Sequence, residues 1–533
     1  MKPSIRHVAA LVSCALAVMA SMASAAHAQE PLTVPEEIAL ARINEIRALG
    51  DPIQRLSWPD FEPASAPAIF YEPDAWAIAV GFDAPPEGFG PIAGRTDAGR
   101  QVYRAGRGAF HAGSRSPALI SGRWTVLSRF DPAEAAPAGD RMGRPAAEEA
   151  IDDFMRDAFM IHLMTQRKRA TPLPTGTAAY PASAELMALT SLENRALVTP
   201  LQTREVTERN LEDYRRRVKE VVAIRHAREK LMGAELTELE RGIEMTDGLG
   251  YYTATLAPRQ ALNAVLAPSD LGKTDGTFRD FSHAVQLRAL MVNYPLSFTA
   301  DNPDATQPQI AWRAAALATL LDRIDAKWRP RALKAEAALI DLLAEKQEVK
   351  PEDEAALLAT AKTDYQYDAV LKLAGYDLER VTARRGETLS KLFPSPGKGE
   401  AGRLEIRLDG APVEAYLDDP AATRHLGDGR LLHAGSLTLK APGLSLAAAP
   451  RPQESPRVMT RAGARRDALS SIVVGLAGVE ATLGGRKPKP GGAGRKITTE
   501  DPLLVKAPGF SLTVTSGRVS EGPDGSLQVD MGK

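Results

Sequence analysis

The sequence predicts an α+β protein: an N-terminal antiparallel sheet domain, a central mainly α-helical domain and a C-terminal all-β sandwich-like domain. Three observations lead there. Short apolar runs punctuated by Pro and Gly occupy residues 58–130, and apolar residues at three- and four-residue spacing run from 151 to about 393. After Pro394-Ser395-Pro396-Gly397 the apolar period falls to two. The expected plan is a leader at 1–28, an α+β domain at 29–140, a helical domain at 141–395 and a β domain at 396–533.

The leader has Lys2 and Arg6, an apolar run from Val8 to Ala20, and small residues ending Ala26-His27-Ala28. This is the pattern of a cleaved secretory signal peptide, and its core is too short to span a bilayer as a mature helix. A periplasmic or secreted location is expected, with no transmembrane segment in the mature chain. The one cysteine, Cys14, lies inside the leader, which excludes disulfides, thiolate catalysis and Cys-ligated zinc from the mature chain. Losing Lys2 and Arg6 takes the formal net charge from −1 to −3, too near neutrality for the long-range field that nucleic-acid binding relies on.

Residues 29–45 read as a short amphipathic helix stopped by Gly50. The runs AIFYE, WAIAVGF, QVYRA, ALISG and WTVLSRF then read as strands, and Ala133 to Pro145 as a linker. In the helical part, one helix carries Glu193, Asn194, Leu197 and Leu201, and the next carries Val218, Val221 and Val222 and breaks at Gly233. The dense charges of Arg204 to Lys230 pair at i,i+4 (Glu205/Arg209, Glu212/Arg216, Asp213/Arg217), the signature of a solvated helix face. Further helices are predicted at 310–327, 330–346, 351–361 and 367–392, with a short one near 281–291. In the β part, Leu437 to Leu446 and Leu503 to Leu512 share the pattern LxxKAPGxSL, a repeated hairpin with Pro442-Gly443 and Pro508-Gly509 at its turns. Gly484 to Lys496 reads as a loop.

No complete active-site signature is present. Ala267 to Thr274 falls one residue short of a phosphate-binding loop and has alanine where its first glycine belongs. Outside the leader the histidines are His111, His162, His226, His283, His425 and His433, and no two lie within four residues of each other, as a helical zinc pair requires. His425 and His433 are expected in a surface loop.

Ala158-Phe159 and Gln166 on one helix, Leu192-Glu193-Asn194-Arg195 on the next, and Gly248-Leu249-Gly250-x-Tyr252 on a third are spaced as in secreted bacterial proteins with a gluzincin-type zinc metallopeptidase core, which residues 151–257 resemble. The resemblance implies metal-site positions for Arg156 and Met160 (the two histidines of His-Glu-x-x-His), Asp157 (its catalytic Glu) and Asp247 (the third ligand). Glu193 and Tyr252 become candidates for lining the cleft. A guanidinium offers no lone pair to a cation and a thioether is a poor zinc ligand, so neither metal nor cofactor is expected. Instead Arg156 is expected to supply the missing positive charge and to pair with Asp247. The expected function is that of a non-catalytic, peptidase-like protein binding a peptide or protein partner. The alternative is an active hydrolase of peptidase type with an unrecognised site, and a third is a structural envelope protein.

Overall fold

The computed structural model describes residues 31–531 apart from 57, 59, 74, 108–109, 111–115, 131–145, 168–182, 204–205, 264–270, 279–306, 326, 394–402 and the stretches 409–412, 419–422, 428–429, 434–435, 449–456, 463–468, 476–479, 487–494, 508–509 and 522–525. The leader, the 133–145 linker, the 281–291 helix, the Pro508-Gly509 turn, His111 and His283 lie outside the described residues, as does most of the 484–496 loop. The protein is α+β, with an N-terminal sheet region, a central helical region and C-terminal sheets. By internal contacts it forms two units: residues 1–171, 249–289 and 329–334, and residues 172–248, 290–328 and 335–533.

The first unit opens with α1 (Val34–Leu56). Strands β1 (Ala68–Glu72), β2 (Trp76–Val80), β3 (Phe89–Asp97), β4 (Arg100–Ala105), β5 (Ala118–Ile120) and β6 (Arg123–Arg129) follow, then α2 (Ala146–Gln166). Helix α1 runs past the expected stop at Gly50, because an interior glycine costs a helix only about 1 kcal/mol and burial of Ile38, Ile43, Ile46 and Leu49 outweighs that. At its start Glu36 reaches back to the capping residue, accepting from the backbone N–H of Thr33 at 2.7 Å and from its hydroxyl at 2.8 Å. The sheet order is β3-β4-β2-β1-β6-β5. It is antiparallel except that β1 and β6 run parallel, with Ala68 opposite Val126. Strand β3 was not legible because it holds Gly90, Pro91 and Gly94; it is an edge strand with a register shift after Pro91, the place where proline and glycine are tolerated. One sheet face meets α2 through the stacked rings of Phe70 and Phe154, and α1 through Arg104, whose guanidinium grips Glu36.

The second unit takes α3 (Ala184–Gln202), α4 (Leu211–Met232), α5 (Ala234–Ile243) and a π-helical turn, Glu244–Gly248. Gly233 separates α4 from α5 with φ +81°, as the sequence predicts. Next come α6 (Leu249–Asn263) and α7 (Leu271–Thr274) of the first unit and α8 (Gln307–Ile324) of the second. Two short helices, α9 (Trp328–Leu333) and α10 (Leu339–Lys346), replace the single one expected at 330–346; between them Ala335 has φ +54°. Then follow α11 (Pro351–Asp364) and α12 (Tyr367–Leu392).

The C-terminal strands are β7 (Arg403–Arg407), β8 (Ala415–Asp418), β9 (Thr423–Gly427), β10 (Arg430–His433), β11 (Leu437–Ala441), β12 (Leu444–Ala448), β13 (Val458–Ala462), β14 (Leu469–Gly475), β15 (Glu480–Leu483), β16 (Arg495–Ile497), β17 (Leu503–Ala507), β18 (Phe510–Val514), β19 (Gly517–Glu521) and β20 (Leu527–Asp530). They make an eight-stranded sheet, β16-β19-β20-β7-β14-β13-β10-β9, and a six-stranded sheet, β15-β17-β18-β12-β11-β8. Leu404, Ile406, Ile472 and Val474 of the larger sheet share one core with Leu437, Leu446, Leu503 and Leu512 of the smaller, so the two form a sandwich. The repeated hairpins are β11-β12 and β17-β18, neighbours through β12 and β18, where Leu446 faces Leu512.

Candidate functional site

Helix α2 buries Phe154, Met155, Asp157, Ala158, Phe159 and Leu163, so the expected metal positions lie around a buried stripe. Arg156 is about a quarter exposed. Its Nε donates to Asp157 Oδ1 at 2.9 Å, and its Nη1 to Asp153 Oδ1 at 3.1 Å and to the Tyr251 hydroxyl at 3.3 Å. The guanidinium carbon lies 5.3 Å from the centre of the Tyr251 ring. Burial would lower the pKa of Arg156, but Asp157 and Asp153 more than compensate and hold the cation firmly charged. For Asp157 burial dominates and pushes the carboxyl up, against the opposing pull of Arg156 and a hydrogen bond from Ser116.

Helix α6 crosses α2 at Gly250. A Cβ there would lie 2.9 Å from Arg156 Cγ, 3.3 Å from its carbonyl oxygen and 3.7 Å from Met160 Cγ. The residues at both expected histidine positions, one turn apart on α2, therefore flank the same glycine. Tyr252, two residues on, is fully buried; its hydroxyl accepts from Arg329 Nη2 at 2.8 Å and its ring lies edge-on to Trp58. The Trp58 indole packs on Phe159 at 4.8 Å between centroids and donates to the Thr253 hydroxyl at 3.0 Å. Of the six predicted positions, the first unit thus gathers Arg156, Asp157, Met160 and Tyr252 along one helix crossing.

Asp247 and Glu193 belong to the second unit. Asp247 is half-buried in the π-helical turn. Because Arg156 lies in the first unit, its pairing with Asp247 is not a relation within either unit and stays an expectation. Glu193, on α3, is at the centre of a buried charge cluster. Its Oε1 accepts from Arg225 Nη1 at 3.0 Å, and its Oε2 lies 2.7 Å from Arg228 Nε and 3.6 Å from Arg313 Nη1 of α8. The latter two are ion-pair contacts without hydrogen-bond alignment. Arg228 also clasps Glu240 of α5, and Arg225 reaches Glu229 at 3.0 Å and Glu244 in the π-helical turn. Three buried guanidiniums thus face three buried carboxylates, those of Glu193, Glu240 and Glu244.

The cluster divides its acids. Burial alone would raise the pKa of Glu193, but Arg228, Arg225 and Arg313 overcome it and hold the carboxyl below the usual range. Glu240 is lowered likewise, first by Arg228 and then by Arg313. Glu244 is raised, because burial and the nearby Glu240 and Glu193 outweigh Arg225 and Arg313. Arg313 is lowered by burial and by repulsion from Arg228 and Arg225.

This corrects the solvated reading of α4: its N-terminal charges are exposed, but Arg225 and Arg228 are buried. The signal was present, since Val218, Val221, Val222, Arg225, Arg228 and Met232 continue one stripe at helical spacing and all are buried. His433 is corrected too; it sits on strand β10, buried, 2.9 Å from the Thr460 hydroxyl. His162 packs against Phe61 and Phe159, and burial lowers its pKa. His226 contacts Glu354 at 2.7 Å. Among the described residues no group of three or more His, Cys, Asp or Glu side chains has metal-holding geometry, and no helix is long and apolar enough to cross a membrane. Comparisons with family models, curated proteins and solved structures find no match to the chain.

Proposed function

We propose that this chain is a secreted or periplasmic, non-catalytic protein with a peptidase-like helical core, and that it binds a peptide or protein partner. The observation that carries this reading is the state of Arg156. A cation held by Asp153, Asp157 and the Tyr251 ring stands where the resemblance requires a neutral metal-ligating histidine. Met160, at the other histidine position, is packed at the helix crossing beside Gly250. Asp157, at the general-base position, is buried and accepts from Arg156, which occupies one of its oxygens. The rival reading, an active hydrolase, draws on the same Asp157, since a buried carboxyl with a raised pKa is a fitting general acid.

Elemental analysis and activity assays separate the two. The purified protein is expected to carry zinc far below one ion per chain, to keep its melting temperature in a chelator, and to leave unstructured protein substrates uncut. Near-stoichiometric zinc, or hydrolysis abolished by Asp157→Asn, would overturn the proposal.

A further inference from the structure

The repeated hairpin is part of a longer duplication. At one constant spacing along the chain, Ile406 matches Ile472, Val413-Glu414-Ala415 matches Val479-Glu480-Ala481, Leu417 matches Leu483, Leu437 matches Leu503, Lys440-Ala441-Pro442-Gly443 matches Lys506-Ala507-Pro508-Gly509, and Ser445-Leu446 matches Ser511-Leu512. The strand pairing gives an independent line. Matched residues face each other directly in both sheets: Ile406 opposite Ile472 between β7 and β14, and Leu446 opposite Leu512 between β12 and β18. A local two-fold relation between the central strands places these residues opposite their own counterparts; it stops at the outer strands, since β20 runs parallel to β7 while β13 runs antiparallel to β14, and β8 and β15 pair with their hairpins one residue out of step.

The two copies act as an alignment contained in one chain. Most shared residues have structural reasons: Ile406, Ile472, Leu437, Leu503, Leu446 and Leu512 are core, and Pro-Gly suits a tight turn, Gly443 having φ +73°. Lys440 with Ser445 and Lys506 with Ser511 are the shared polar pairs, and Lys506 also has Glu480 across from it on β15. Each pair is exposed and directly cross-strand. Both point from the outer face of the six-stranded sheet, on which the pairing of β12 with β18 sets Ser445 opposite Thr513 and Ala447 opposite Ser511. The outward positions of the four central strands are thus Thr438, Lys440, Ser445, Ala447, Leu504, Lys506, Ser511 and Thr513: two lysines, five small side chains and Leu504, with no acid and no aromatic ring on these four strands. The acidic residue in register with either lysine is Glu480, opposite Lys506.

We infer that the two Lys-Ser pairs, Lys440-Ser445 and Lys506-Ser511, form one two-fold docking surface on the sandwich for an acidic peptide segment of a partner protein. This rests on the partner-binding reading and names its surface and the partner's chemistry. Ammonium groups at either end hold carboxylates, the serine hydroxyls offer hydrogen bonds, and the small side chains between let an extended backbone lie close. A sugar polymer fits less well, because no aromatic ring is there to stack on a sugar face.

The full-length protein should bind a fluorescent oligo-glutamate peptide, measured by anisotropy, with affinity that falls as salt rises. Lys440→Gln and Lys506→Gln should weaken binding by similar factors, and the double variant by about tenfold or more, with melting temperature unchanged. Unaltered binding by the double variant, no peptide binding by wild type, or binding of a polyuronate in preference to the peptide would each overturn the inference. So would loss of stability in the double variant, which would make the lysines structural. None of these outcomes bears on zinc content or hydrolysis, so the wider reading fails or stands separately.

Discussion

Glu193 and Glu244 share one buried cluster, yet its field moves them in opposite directions, which gives each a distinct pH signature. Glu193 is held below its ordinary value of 4.5, so its stabilisation is fully present above that pH and is lost as pH falls through its folded-state pKa. Glu244 is held above 4.5, so its contribution is fully present below that pH and is lost as pH rises through the folded-state pKa. Glu193→Gln, which leaves Arg225 and Arg228 short of a carboxylate, should cost about 3–5 kcal/mol at neutral pH in denaturant titrations, a deficit that shrinks in acid. With Glu244→Gln the sign reverses: the advantage of wild type over the variant should diminish as pH rises from 4.5. The sequence shows an Arg-rich helix and a Glu on its neighbour. That these charges face inward could be read only from their place on the valine stripe, because charge composition alone favours solvent.

At the scale of elements, the helix spacing was largely readable and the helix contacts were not. Tyr367–Leu392 and the break at Gly233 stand where periodicity and glycine put them. The π-helical turn has no such local signature; it lies where α5 meets α6, and Gly248 shows why it matters. A Cβ on Gly248 would stand 2.3 Å from Ala314 Cβ on α8, a contact that neither backbone can relieve by rotating a side chain. Gly248→Ala should therefore destabilise the protein by about 1–3 kcal/mol, and Ala314→Gly should restore part of the loss in a double-mutant cycle. Gly250→Ala should cost less, because its tightest neighbour, Arg156 Cγ, would stand farther away, at 2.9 Å. Equal losses from the two substitutions would show that α8 can yield.

At the scale of the whole molecule, the sandwich was legible through its paired LxxKAPGxSL segments, whereas the rest of the duplication is too sparse in identities to stand out before strand pairing aligns it. If the dyad is real in energetic terms, Leu446→Ala and Leu512→Ala should cost similar amounts, about 2–5 kcal/mol each. Because they face each other, the double variant should cost less than the sum, as two substitutions opening one cavity do. Clearly unequal single losses in thermal or denaturant unfolding would refute the equivalence. The interleaving of the two units was not legible, since the crossing of α2 by α6 joins residues far apart in the chain.

That crossing sets a timetable for synthesis. Trp58 and Phe159 leave the ribosome with the first segment of their unit, but Tyr252, Thr253 and the rest of α6 follow about 90 residues later, some 5–20 s at ordinary elongation rates. For that interval the aromatic cluster lacks one wall, and the nascent chain presents an apolar surface to whatever it meets. A fragment ending at residue 171 would fix that unfinished state permanently.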